Sequence, residues 1–175
     1  MHRICFFVLV SLLPWGVSAE GEGPRTPISL EAGLGFMADP DAFLVSFALP
    51  WEITEAISVG PLVQFGLDDD FTIVAPSMNA RYSFDLSTTD HAGLGRLRPH
   101  VELGVGFAYA KIDGVPSFID DDDIAFMMNF GFGAEYRLSR SWSLGSRMRL
   151  NVMPGDLFGE SLIYSWEVAG FRFRF

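Results

Sequence analysis

From residue 28 onward the chain alternates apolar and polar positions with a period of two, and no helical period competes with it. In residues 28–36, Ile28, Leu30, Ala32, Leu34 and Phe36 share one face, against Ser29, Glu31, Gly33 and Gly35. Residues 99–111 set Val101, Leu103, Val105, Phe107 and Tyr109 against His100, Glu102, Gly104, Gly106 and Ala108. Residues 124–138 set Phe126, Met128, Phe130, Phe132, Ala134 and Tyr136 against Asn129, Gly131, Gly133, Glu135 and Arg137. Segments of the same kind run near 42–50, 57–67, 71–84, 142–151 and 162–175, which makes eight. Asp39-Pro40, Asp68-Asp69-Asp70 and Ser139-Arg140-Ser141 mark short turns, and residues 86–98 a longer one. The pattern predicts an all-β, eight-stranded antiparallel up-and-down barrel.

The composition of the two faces sets the environment. One face is a series of Phe, Leu, Val, Ile, Met and Trp; the other is Gly, Ala and Ser with single Glu, Arg, Asn and Gln residues. A soluble barrel would show water a charged face, yet Lys111 is the only lysine of the 175 residues. With 49% hydrophobic residues and no apolar run long enough for a spanning helix, the chain reads as a barrel with lipid outside and a narrow polar lumen. Most segments are 9–15 residues long, enough for a tilted strand to cross a bilayer. A sheet in hydrocarbon cannot leave an edge unpaired, so the last strand must meet the first.

Eight strands leave only enough lumen for side chains to fill it. Pairing across the Ser139–Ser141 turn puts Gly133 opposite Arg147 and Gly131 opposite Arg149, with Glu135 diagonal to Arg147. A buried arginine needs a carboxylate, so Glu31, Glu102 and Glu135 are expected to serve Arg81, Arg137, Arg147 and Arg149. His100 is expected to be a hydrogen-bonded core histidine beside Glu102.

Residues 1–19 read as a secretory signal: Met1-His2-Arg3, an apolar stretch from Ile4, a break at Pro14 and Gly16, then Val17-Ser18-Ala19 before the cut. The barrel domain is then 20–175. Cleavage would remove the only cysteine, Cys5, leaving no disulfide and no thiolate chemistry. It leaves 11 basic against 22 acidic residues, and no basic cluster suited to nucleic acid.

The terminal strand from Trp166 places Phe171, Phe173 and Phe175 at alternate positions and ends in Phe. It resembles the strand by which Gram-negative outer-membrane proteins are recognised for assembly. Arg98-Pro99-His100 with Gly104 and Gly106 resembles the strand opening of small barrels of the OmpA/OmpX and OmpW type, with His100 in place of the usual aromatic. The stretch from Tyr136 through Ser139-Arg140-Ser141 to Gly145 resembles their periplasmic turn. The resemblance implies an eight-stranded transmembrane barrel, a cell outer-membrane location, and contact with outer-membrane lipid, lipopolysaccharide and the assembly machinery. A monomer is expected.

With both termini periplasmic, loops 37–41, 67–70, 112–123 and 152–161 face outward and carry twelve carboxylates with no basic residue. Trp51, Phe84, Tyr136, Trp142 and Phe175 form one expected aromatic girdle, and Phe36, Phe43, Tyr109 and Tyr164 the other. Two small-barrel types are lipid A enzymes. The deacylase type uses a His-x-Ser pair and a Glu, but His91 precedes Ala92-Gly93 and His100 precedes Val101-Glu102. The palmitoyl-transfer type needs a histidine at the outer surface, and neither lies there. No enzyme and no cofactor is therefore expected. The run Asp120-Asp121-Asp122-Asp123 offers hard oxygen donors for calcium or magnesium, without the spacing of a calcium loop. The expected role is structural or surface-interactive, with a lipid A-modifying enzyme and a small solute channel as the alternatives.

Overall fold

The computed structural model describes residues 28–86, 94–112, 122–157 and 159–175. Eight strands make one antiparallel sheet: β1 (Ser29–Ala38), β2 (Ala42–Ala48), β3 (Ile57–Leu67), β4 (Phe71–Ser83), β5 (Leu97–Ile112), β6 (Asp122–Arg137), β7 (Trp142–Leu157) and β8 (Glu160–Arg174). Each pairs with the next in sequence, and β8 pairs back onto β1 from Ser29↔Arg174 to Ala38↔Tyr164, so the barrel closes. The Phe175 N–H donates to the Ile28 carbonyl at 3.1 Å beyond the last pair. Closure removes the edge that hydrocarbon would not tolerate.

Strand β2 resumes as Trp51–Glu52 after a break at Pro50, which has no N–H for the ladder. Both pieces pair with β3. In the turns at Thr54 and Ser139, side-chain hydroxyls accept backbone N–H groups. Ser139 Oγ, for instance, accepts from the Trp142 N–H at 3.1 Å.

Burial is inverted relative to a soluble protein. Phe132 is 62% exposed and Leu103 57%, whereas Glu31 is 2% exposed and Arg149 2%. The nine aromatic residues assigned to the girdles are all exposed on the outer surface. Below, "terminal end" denotes the mouth beside Ile28 and Phe175, and "loop end" the mouth beside residues 39–41 and 68–70.

Two features depart from the sequence reading. Residues 152–161 are not an open loop: β7 runs to Leu157, β8 starts at Glu160, and Leu157 pairs with Glu160. Between Val152 and Leu157 four residues of β7 stand against Ser161 alone, a bulge of three extra residues, with Asp156 at φ 53° and Gly159 at φ 88°. Met153 and Leu157 are thereby buried, and that burial offsets the ordering of the segment.

The second departure is a β-bulge in β8. Leu34 lies opposite Ala169 and Gly35 opposite Glu167, so Val168 is extra. On the β7 side, Gly145 faces Gly170 and Arg147 faces Glu167, so two residues of β8 oppose Ser146. The bulge changes the phase of the strand. Under strict alternation Glu167 would share a face with Phe171 and Phe173; instead Glu167 and Arg172 are both buried and the phenylalanines stay outside. Ser146 stitches the irregularity: its Oγ donates to the Glu167 carbonyl at 2.9 Å and accepts from Trp166 Nε1 at 3.0 Å.

A backbone carbonyl facing lipid without a donor is costly. Ser146→Ala should therefore lower stability by about 1–3 kcal/mol in urea titrations of vesicle-embedded protein, and Ser146→Thr should restore most of it. An alanine variant as stable as the parent would show that the bulge needs no stitch.

Candidate functional site

The inward-facing residues form three tiers. Nearest the terminal end is an ion network of Glu31, Glu102, Glu135 and Glu167 with Arg81, Arg147, Arg149 and Arg172. Arg81 reaches Glu31 at 2.7 Å, Glu135 at 2.9 Å and Glu102 at 3.2 Å. Arg147 reaches Glu31 at 2.8 Å and Glu167 at 3.0 Å, and Arg149 bonds Glu102 and Glu167. Arg172 joins Glu135 at 3.0 Å and Glu31 at 3.3 Å, then continues the chain of charge to Glu52 at 3.5 Å. Glu52 also holds Arg174, at 2.6 Å. In the buried tier, four carboxylates meet four guanidiniums, so no net charge is left out of water.

Room for these side chains comes from glycines around them. A Cβ on Gly33 or Gly170 would occupy the position of the Glu167 carboxylate, and one on Gly131 would meet Glu102. A large side chain on one strand thus fills the gap left by a glycine on its neighbours. A cavity of about 20 Å³ lies beside Arg81, Glu102, Arg147 and Arg149, with space for about one water.

The middle tier is neutral and polar. Gln64 Nε2 donates to Asn151 Oδ1 (3.3 Å), Asn151 Nδ2 to Ser165 Oγ (3.4 Å), and Ser165 Oγ to Gln64 Oε1 (2.8 Å), a closed ring of three donors. Asn129 and Asn79 lie in the same tier on β6 and β4. The third tier, at the loop end, is apolar: Met37, Ala42, Leu44, Ile73, Ala75, Ala108, Ala110, Ala125, Met127, Met153, Leu157 and Ile163 form one buried cluster. The expectation of a polar lumen therefore needs correction for this half of the barrel. Its residues lie at inward positions near strand ends, where apolar residues occupy both faces and the alternation gives way.

Of the residues expected in the lumen, Glu31, Arg81, Glu102, Glu135, Arg147 and Arg149 come together. Gly133 lies opposite Arg147 and Gly131 opposite Arg149. Three details differ. Glu135 ion-pairs with Arg81 and Arg172 rather than Arg147. Arg137 stays out of the network, half-buried at the terminal mouth, with no carboxylate within 4.0 Å among the described residues. His100 is 2% exposed, but neither ring nitrogen has a hydrogen-bond partner among the described residues, so it is not the satisfied histidine expected. Glu167 and Arg172 were missed because the bulge hides their phase, and Glu52 because it follows the break at Pro50.

Phe171, Phe173 and Phe175 lie on the outer side of β8, where Phe173 stacks with Trp142 at 4.7 Å and meets Phe175 edge-on at 4.9 Å. Asp120 and Asp121 lie outside the described residues, as do His91 and residues 1–19. Asp122 opens β6, and Asp123 Oδ1 accepts from the Ile124 N–H at 2.8 Å. Among the described residues no cluster of His, Cys, Asp and Glu is arranged to hold a metal.

No protein-family model and no curated protein sequence matches the chain. Solved structures do. The N-terminal β-barrel domain of Pseudomonas aeruginosa OprF superimposes with a TM-score of 0.63 at 19% identity, covering 86% of this chain and 98% of that one. Neisserial surface protein A gives 0.65 at 15% identity, covering 85% and 96%. Yersinia pestis Ail, solved in complex with the heparin analogue sucrose octasulfate, gives 0.54 at 11% identity, covering 85% and 97%. The fold is that of the small outer-membrane barrels. Each comparison spans nearly the whole of the other chain, so the likeness is to a complete barrel and not to one hairpin.

The ion tier sets a stability test. Removing one member strands buried opposite charge, at a cost of about 3–5 kcal/mol. Arg147→Ala should shift the urea midpoint far more than Arg140→Ala, since Arg140 is exposed in the 138–141 turn. Equal midpoints would contradict the register.

Proposed function

We propose that this protein is an integral outer-membrane barrel with a structural or surface-interaction role, and that it neither conducts solutes nor catalyses a reaction. The observation that carries the reading is an apolar outer belt around an interior filled at every level. The apolar tier supports a sealed lumen most directly. Ions crossing the barrel would have to leave the paired tier, pass the amide ring and then dehydrate among Leu44, Ile73, Met127 and Met153. Eight strands leave no width for another path.

The alternation, the girdles and the likeness to outer-membrane barrels all support the location. They agree with export directed by residues 1–19 and assembly directed by Phe171, Phe173 and Phe175. Both termini then face the periplasm, and the loop end faces outward.

That outer rim carries Asp39, Asp41, Asp68, Asp69, Asp70, Asp156 and Glu160. It would meet the anionic lipopolysaccharide layer through bridging divalent cations, with the 120–123 run adding carboxylates. The same charge opposes a polysulfated partner of the kind bound in the Ail structure. A protein ligand for this rim would carry basic residues.

Three measurements test the reading. The protein should fractionate with outer membranes and migrate faster on gels when unboiled, and deleting Phe175 should reduce its folded yield. In planar bilayers the parent should show no steady conductance, whereas a Leu44→Ser, Met153→Ser double variant should admit ions. A lipid A mass profile should be the same with and without the gene. Soluble recovery, open channels in the parent, or a changed lipid A species would each defeat one part of the proposal.

A further inference from the structure

The inward side of the break in β2 is built from small residues. Pro50 comes opposite Gly60 of β3, and a Cβ on Gly60 would lie 2.6 Å from the Pro50 Cα. Ala48 and Ser58 flank that pair. None of the four has a side chain long enough to fill the space between the wall and the ion tier. What remains is the cavity of about 20 Å³, with Asn79 and Arg149 among the residues on its lumen side.

Those two side chains each carry a polar atom that no protein group satisfies. Arg149 is 2% exposed; its Nε donates to Glu102 and its Nη1 to Glu167, while Nη2 has no partner among the described residues. Asn79 is 9% exposed; its Nδ2 donates to Ser77 Oγ at 2.8 Å, while Oδ1 has no donor among the described residues. One atom is a donor and the other an acceptor, so a ligand serving both must accept and donate. The charges around the cavity exclude an ion. Arg81, Arg147 and Arg149 oppose a cation, Glu102 and the Asn79 oxygen oppose an anion, and the tier has no net charge for either to balance. The volume admits one molecule of the smallest kind.

We propose that this cavity is the binding site of one structural water, which accepts from Arg149 Nη2 and donates to Asn79 Oδ1. Ser58 lines the same cavity and offers a hydroxyl to the second hydrogen. The water joins β7 to β4 and ties the charged tier to the neutral one. The apolar tier beyond the amides ends any file of waters, so the site holds a bound molecule and does not pass solvent. This inference rests on the packing of the lumen and not on the cellular location.

The experiment is a crystal structure of the purified protein in detergent, at a resolution that shows waters, for the parent, Ala48→Val and Asn79→Leu. The parent should show one density peak within hydrogen-bonding distance of both Arg149 Nη2 and Asn79 Oδ1. Ala48→Val fills the cavity from β2 and should remove the peak with Asn79 in place. Asn79→Leu keeps the volume but removes the acceptor, and should remove the peak as well. Parent crystals soaked in bromide or rubidium should give no anomalous signal there. In micelles, cross-relaxation from a water tumbling with the protein should reach the Arg149 guanidinium protons in the parent and be lost in both variants, a readout that needs no crystals. A dry cavity in the parent, or a peak unmoved in Ala48→Val, would overturn the site. An anomalous bromide or rubidium peak would overturn water as its occupant.

Discussion

The charged half of this barrel depends on matched charge held away from bulk water. Four glutamates and four arginines interlock across six strands, and each has more than one partner. An arginine shared by two or three carboxylates ties strands that are distant in sequence, as when Arg81 on β4 binds Glu31 on β1 and Glu135 on β6. The network therefore acts as a set of cross-lumen ties. Desolvation makes such pairs poor sources of net stability, but it penalises every arrangement in which one member is missing. The network favours one register over its neighbours, because a slip of one residue would carry a glutamate or arginine into lipid.

The fold was legible in the sequence because its strongest signal, a period of two with the apolar face unbroken, is also what the membrane requires. The lumen was legible only where alternation held. Glu31, Arg81, Glu102, Glu135, Arg147 and Arg149 follow from regular strands with a known turn between β6 and β7. Glu167 does not, because Val168 shifts the phase of β8. A trace of the shift is present: Trp166 and Phe171 both face outward although they lie five positions apart, an odd interval. An odd interval between two lipid-facing aromatics in one strand implies an extra residue, and the Val168-Ala169-Gly170 step is the place for it. His100 and the apolar tier were harder. Whether a side chain finds partners, or which inward residues meet at one level, depends on strands far apart in the chain.

The likeness to OprF, neisserial surface protein A and Ail is one of architecture. Here the loop end is acidic and the terminal end basic, an axial separation of charge along a molecule whose interior is neutral. The two rims thus have opposite electrostatic preferences. Strands and girdles fix depth in the bilayer, and the rims add an electrostatic preference for orientation.

The apolar tier gives the interior two unlike ends. Met153 and Leu157, brought in by the bulged β7–β8 hairpin, complete a dry stopper at the loop end, while the charged tier lies toward the terminal mouth. Among the described residues the loop end is thus closed by apolar side chains, and the buried charges lie nearer the terminal mouth. Solvent exchanging with the buried guanidiniums and amides must enter and leave by the terminal mouth, past Arg98, Arg137 and His100. Whatever occupies that mouth sets the pace at which the interior trades hydrogen for deuterium, and the medium at the loop end has no direct part in it.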